Sequence, residues 1–253
     1  MSDYQLKKYR YFLKDSVRKT IDFSQTDQSK GIPPPPVEKP CPPGATRINL
    51  VSHDDLKDIG LIHAMGNRES RRTYLDTPLS LQELSFLLWS TQGVRRRLDK
   101  STALRTVPSA GARHALETYL CVLNVEGLEQ GFYRYLPIEH QLVFEFHEEN
   151  TIEKMSAATF GQSFIAQGAV IFIWTAVPYR MEWRYGLAAH RAILLDAGHV
   201  CQNLYLACEA IGAGTCGIAA YNQEAIDQLL RVDGEDEFTI YLAPVGKVPV
   251  DSE

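Results

Sequence analysis

Between residues 187 and 211 apolar side chains recur in steps of three and four: Ile193, Ala197, Val200, Leu204, Cys208 and Ile211. That spacing puts them on one face of a helix. A second set, Leu187, Leu194, Leu195, Leu206 and Ala210, covers much of the remaining circumference. A helix apolar on more than one side belongs in an interior, so the pattern predicts a buried helix. At ~1.5 Å per residue it is roughly 38 Å long. Gly212 and Gly214 supply its C-terminal stop. Six alanines and Gly198 keep it slim, so another helix, or its own copy in a dimer, can approach closely. His190, Arg191, Asp196, His199, Gln202 and Asn203 interrupt the apolar surface. Buried polar groups need partners, which a dimer interface or a bound cofactor would supply.

The rest of the chain reads as short elements. Leu56, Ile59, Ile62 and Met65 predict a helix over Ser52–Met65, where the globular part begins. A second helix opens at Ser80, forms a capping box with Glu83 and ends at Gly93. Residues 94–107 read as a basic loop. A strand covers E-T-Y-L-C-V-L-N-V from Glu117, and G-F-Y-R-Y-L-P with Q-L-V-F-E-F forms a hairpin. One or two short helices occupy 151–167. The continuous, β-branched run Ala169–Val177 is a strand buried on both faces. After the long helix come a glycine-rich turn, a short helix over Asn222–Arg231 and a last strand, F-T-I-Y-L-A-P-V-G-K. Strands and helices interleave without a regular βαβ repeat, which favours an α+β sheet with helices packed on it. Before all of this, Gly31–Gly44 holds seven prolines and reads as a stiff polyproline-like strap, a spacer or, alternatively, an SH3-type ligand.

Composition narrows the partners. The chain has 253 residues, 45% hydrophobic and 23% charged, with a formal net charge of -5. No dominant positive field exists to attract nucleic acid or acidic lipid. The N-terminal residues lack the apolar segment of a secretory signal, and nine residues, Ala169–Val177, cannot span a bilayer as a helix. The five cysteines form no C-x-x-C and no metal spacing, so a reduced, cytoplasmic protein is expected. His190 and His199 fall on nearly opposite helix faces, which argues against joint metal binding.

No nucleophile elbow, zinc helix, P-loop or dinucleotide fingerprint is present. Three other features combine. Arg68, Arg71 and Arg72 cluster around Ser70, and clustered arginines suit phosphate. P-S-A-G-A-R-H, Pro108–His114, offers small residues that let backbone approach a flat ligand, with Arg113 as a donor. The turn Gly212–Tyr221 exposes backbone N–H groups. Together they fit a phosphorylated, planar, heteroaromatic cofactor.

These motifs resemble the nitroreductase superfamily, and among its branches the SagB/ThcOx-type FMN-dependent dehydrogenases, here as a stand-alone member. R-E-S-R-R-T-Y resembles R-x-S-x-R-x-Y/F. P-S-A-G-A-R-H resembles that branch's P-S-A-G-A-R-H-P, with Ala115 where proline is usual. The long helix with its following G-A-G-T, and P-V-G-K at Pro244–Lys247, resemble the dimer helix and the terminal strand. The resemblance covers roughly residues 64–248. It implies an α+β, nitroreductase-like fold: a mixed, mainly antiparallel sheet flanked by helices, with a long central helix, in a domain-exchanged homodimer. Residues 63–253 would form the FMN-binding domain and residues 1–62 an N-terminal extension. By resemblance, Arg68, Ser70 and Arg72 hold FMN, and Pro108, Ser109, Ala110, Gly111 and Arg113 of the other subunit pack along the isoalloxazine. Gly217, Ile218, Ala219 and Ala220 lie beside the ring, and Lys247 is a further phosphate candidate. The implied activity is hydride transfer between a reduced nicotinamide (NADH or NADPH) or organic small-molecule substrate and an acceptor. Azoline-oxidase members carry a Lys-Tyr pair before the central helix; here it is Arg184-Tyr185. Arginine is effectively never deprotonated, which leaves Tyr185 as the acid/base candidate and Arg184 to orient an anion. Dehydrogenation of a peptide-derived azoline, or a non-catalytic flavin-binding partner subunit, are the alternative readings.

Overall fold

The computed structural model describes residues 2–52, 54–56 and 59–249. Its strands are β1 (Arg47–Asn49), β2 (Val94–Arg97), β3 (Ala103–Arg105), β4 (Leu116–Val122), β5 (Gly131–Leu136), β6 (Gln141–Phe146), β7 (Val170–Ala176), β8 (Ala213–Thr215) and β9 (Phe238–Lys247). Seven form one sheet in the order β1-β6-β5-β4-β7-β9-β8. Every ladder in it is antiparallel, and isolated parallel bridges join Ser70 to Thr215 and Leu79 to Val125. The helices are α1 (Asp3–Tyr9), α2 (Leu61–Asn67), α3 (Leu81–Gln92), α4 (Thr151–Ala158), α5 (Tyr179–Tyr185), α6 (Ala189–Ala210) and α7 (Gln223–Leu230).

β7 sits centrally because it is apolar on both sides. Side chains alternate faces along a strand. Val170, Phe172, Trp174 and Ala176 therefore join one core with α3 and α6, and Ile171 and Ile173 join the other with α4 and α7. All seven residues of β7 are buried, and burying each large aliphatic or aromatic side chain contributes roughly 1.5–3 kcal/mol. The long helix forms as its periodicity predicts. Ile193, Ala197, Val200, Leu204 and Cys208 are buried on the sheet, and Ile211 caps the helix before Gly212 turns the chain at φ +60°. α3 has both halves of its expected capping box, Ser80 and Glu83, and stops at Gly93.

Four expectations change. Leu194 and Leu195 are 47% and 54% exposed, with no cover on that side of α6 among the described residues, and Leu187, in the turn before α6, is 60% exposed. Residues 94–107 are not a loop: β2 and β3 form a hairpin, tied by Arg95 Nε donating to the Arg105 carbonyl at 3.0 Å. The helix expected over Ser52–Met65 lies partly outside the described residues, at 53, 57 and 58; among those described it begins at Leu61. Finally, the sheet starts before Ser52, since β1 pairs with β6.

The proline strap is packed rather than merely spanning. A polyproline segment has no internal hydrogen bonds, so its carbonyls are available. Val37 O accepts from Arg105 at 2.8 Å, Lys39 O and Pro40 O accept from Arg134 at 2.8 and 3.2 Å, and Ile32 O accepts from Trp183 Nε1 at 2.9 Å. The Lys39 N–H donates to buried Glu117 at 2.7 Å. Burial alone would raise the Glu117 carboxyl; the Arg180 and Arg134 guanidinium groups outweigh it and hold it below its ordinary value.

Glu38, in the same strap, accepts the Ile138 N–H at 3.1 Å. Burial, with Glu139 and Glu117 nearby, pushes its carboxyl up from 4.5 to about 7. A folded-state pKa raised in this way means that folding favours the protonated form. The carboxyl is therefore harmless below pH 4.5 and increasingly costly as pH rises from 4.5 to 7. Glu38→Gln, neutral throughout, should match the wild type near pH 4.5 and exceed it above pH 7 by about 2 kcal/mol, the ~3.4 kcal/mol of the full shift reduced by solvent screening of a half-buried group. Urea unfolding at both pH values measures this; an equal difference at both would show that Glu38 does not titrate with folding.

Candidate functional site

The basic stretch after α2 runs extended along the β8 edge. The Arg71 N–H donates to Thr215 O at 3.0 Å, and Ser70 bridges Thr215. Alternate residues of an extended chain share a side. Arg68, Ser70 and Arg72 share one, while Glu69 and Arg71 share the other, where they pair at 2.7 Å. Gly214 permits this approach: a Cβ there would meet Arg71 Cγ at 2.5 Å. The Arg68 and Arg72 guanidiniums sit over the rings of Tyr205 and Phe164, at 5.5 and 5.8 Å. Neither forms an ion pair among the described residues.

Tyr205, on α6, ties this stretch to the glycine-rich turn. Its hydroxyl lies 3.0 Å from Ser70 Oγ and accepts the Gly217 N–H at 2.8 Å. A Cβ on Gly217 would strike the Tyr241 hydroxyl, so glycine is required for that approach. Ile218 is buried and exchanges both backbone hydrogen bonds with Leu242, at 2.7 and 3.1 Å, which leaves Ala219 and Ala220 exposed beside it. Lys247 lies at the same sheet edge but is engaged: its Nζ donates to Glu83 and to Ile211 O, the latter at 2.6 Å.

A second cluster forms at the other end of α6. The Ala110 N–H donates to Asp196 Oδ1 at 3.3 Å, and the Ser109 hydroxyl accepts the His114 N–H at 2.9 Å. Pro108 and Gly111 are exposed. Gly111 has φ +60°, and a Cβ there would lie 2.5 Å from the Tyr185 hydroxyl and 3.2 Å from Arg184 Cδ. The small-residue loop and the Arg184-Tyr185 pair are thus in contact, with the Arg184 guanidinium 5.4 Å from the Tyr185 ring centre. Arg113 points inward: it is 7% exposed, bonds Ser101 O and Thr102 Oγ1 at 3.0 and 3.1 Å, and lies over the Trp183 ring. His114 is held neutral, since burial and neighbouring Arg105 push its imidazole down to about 3.

Two residues organise these clusters without having been candidates. Asp196 is 6% exposed; its Oδ2 has no hydrogen-bond partner among the described residues, and burial raises its carboxyl despite help from Ser109 and the Ala110 N–H. It was visible in the sequence as a polar break in an apolar helix. Tyr205 gave no such signal, because a tyrosine among aliphatic residues reads as packing. Nine residues separate Asp196 and Tyr205. At ~100° and ~1.5 Å per residue they are roughly 180° apart around α6 and about 14 Å apart along it. The two clusters therefore occupy opposite flanks of the helix and cannot both touch one small ligand within a single chain. Among the described residues there is no group of side chains suited to a metal ion and no helix long and apolar enough to cross a membrane.

Comparison with known proteins bears on this arrangement. The nitroreductase family model matches residues 65–247. A Methanocaldococcus jannaschii protein provisionally named a nitroreductase is 34% identical over 193 residues, 76% of this chain and 93% of the relative. Two solved structures also bear the provisional name nitroreductase. One, from Ralstonia eutropha, aligns with a TM-score of 0.67 at 25% identity, covering 86% of this chain and 99% of its own. The other, from Anabaena variabilis, has a TM-score of 0.68 at 26% identity and covers 82% of this chain, which spans only 42% of that longer one.

Gly111→Ala tests the contact between the loop and Tyr185. The substitution combines a left-handed backbone with a Cβ against the phenol and should cost about 1–3 kcal/mol. Adding Tyr185→Phe removes the opposing hydroxyl, so the double variant should recover part of that loss in denaturant unfolding. Strict additivity of the two changes would show that the groups do not meet.

Proposed function

The chain belongs to the nitroreductase family, and we propose that this oxidoreductase is a homodimeric, FMN-dependent enzyme of the SagB/ThcOx-type branch. It passes a hydride from NADH, NADPH or an organic substrate to an acceptor, in alternating half-reactions. The observation that carries the reading is the side shared by Arg68, Ser70 and Arg72: two arginines that form no ion pair among the described residues flank a hydroxyl at a sheet edge. That donor set fits one phosphate with its attached polyol chain. The adjoining small-residue turn, with Ala219 and Ala220 exposed, leaves room for a flat ring. Bound flavin supplies the redox chemistry; the protein positions and tunes it.

In this reading residues 63–253 form the flavin-binding domain and residues 1–62 extend it. Arg68 and Arg72 grip phosphate, Ser70 is held in place by Tyr205, and the Ala219 backbone donates towards the ring. Pro108–Gly111 serves the site of the second subunit. The opposite flanks of α6 support that division, since only a second copy can bring the two clusters together. The same copy accounts for exposed Leu194 and Leu195 and for an open apolar cavity of about 680 Å³ between α2, α3 and α6. Lys247 reaches phosphate only by leaving Glu83. Arg113, turned inward, acts through the loop's shape. Tyr185 is the candidate proton donor or acceptor; Arg184 in place of lysine disfavours azoline oxidation. Five free cysteines fit a reduced cytoplasm.

Purified protein should carry, or take up, FMN with absorption near ~450 nm. Removing Arg68 or Arg72 should weaken FMN by about 1.5–3 kcal/mol, the range for charge-assisted hydrogen bonds, or roughly 10- to 150-fold. Riboflavin, lacking phosphate, should be affected much less in the same fluorescence titration. Equal losses for both ligands would remove the phosphate assignment, and a colourless protein that ignores FMN would remove the cofactor.

Sedimentation tests the dimer separately. At micromolar concentration a single dimeric species is expected, because obligate interfaces commonly bury more than ~2,000 Å². A monomer that still binds FMN would overturn the shared site.

A further inference from the structure

The N-terminal extension builds a cavity that the oxidoreductase reading does not use. It has a volume of about 360 Å³ and lies between residues 8–17 and the start of α6. Tyr9, Tyr11, Phe12, Val17 and Leu187 form its walls. Four of these are conspicuously unshielded: Tyr9 is 78% exposed, Tyr11 53%, Phe12 49% and Leu187 60%. Apolar area of this kind is left open at a cost, and pockets of this size take small ligands.

The rim is cationic. Lys8 and Lys14 line it and form no ion pair among the described residues. Arg191 shares Asp15 with Arg18, at 3.6 and 2.5 Å, and His190 pairs with Glu182 at 2.6 Å. The facing carboxylates, Asp15 and Glu182, are thus already committed, and both lysines remain uncompensated. The cavity also adjoins the second cluster. Leu187 follows Tyr185 and Gly186 directly, and a Cβ on Gly186 would be 3.8 Å from Ile21 Cγ2. Arg18 is within electrostatic reach of Tyr185.

We propose that this cavity binds an amphipathic organic anion, a flat or aromatic body seated on Tyr9, Tyr11, Phe12 and Leu187 with a carboxylate at Lys8 and Lys14. The complementarity is specific: aromatic walls favour a planar apolar body, and an unpaired lysine pair favours one negative head group. The extension thereby supplies substrate selection at the Tyr185 end of the molecule. Only this link to turnover rests on the oxidoreductase reading; binding itself does not.

The test is equilibrium binding by calorimetry, using full-length protein with its flavin content fixed by absorbance. The probes are 2-naphthoate and its neutral analogue 2-naphthamide. Wild type should bind the carboxylate at least about tenfold more tightly than the amide. Lys14→Glu, on an exposed side chain remote from the fold's core, should erase that preference and leave flavin content unchanged. Leu187→Asp should weaken both probes, and added salt should weaken only the carboxylate. Equal affinity for the two probes in the wild type, or no binding at millimolar concentration, would overturn the proposal. So would naphthoate binding that disappears as dimer forms, because a second copy would then be the occupant. Naphthoate binding by wild-type protein that takes up no FMN would count against the flavin reading alone.

Discussion

The structure depends on one packing event, the seating of α6 on the face of the sheet formed by Phe172, Trp174 and their neighbours. Ile193, Ala197, Val200, Leu204 and Cys208 make that face. Its small members let the helix lie close enough for side chains on either flank to reach loops beyond it. Asp196 then meets the Ala110 N–H on one flank, and Tyr205 meets Ser70 and Gly217 on the other. Neither contact survives a rotation of α6, because a turn of one residue moves every side chain by ~100°. Hydrophobic burial, which is not directional, thus fixes the register of polar contacts, which are.

A second constraint is ionic. Glu117 is buried between Arg180 and Arg134, and Arg105 lies close enough to help hold it ionised. Such groups are costly to take out of water, and removing one partner usually costs more than the whole set contributes. Strap carbonyls accept from Arg105 Nη2 and from both Nη groups of Arg134. Lys39 of the strap reaches Glu237, which in turn accepts from Thr175 on β7. The strap therefore belongs to the fold's polar interior, and its proline content suits it: prolines offer acceptors and bring no N–H groups that burial would leave unpaired.

The sequence by itself determined the elements whose local signals and burial agree. The period of α6, the capping box of α3 and the two-sided apolar run of β7 each state both a conformation and an environment. The family motifs were legible for a related reason: an R-x-S-x-R alternation and a run of small residues constrain backbone and chemistry together. Tertiary structure decided what depends on distant partners. The strap's role is invisible in Gly31–Gly44 because the arginines it satisfies lie some seventy to a hundred residues away. The β2–β3 hairpin hides behind arginines that look like a solvated loop. Lys247 and Arg113 read as free donors until Glu83 and Trp183 appear beside them. Whether a side of α6 is buried or bare, as at Leu194 and Leu195, follows from what else is present to cover it, and a sequence states hydrophobicity without stating the neighbour.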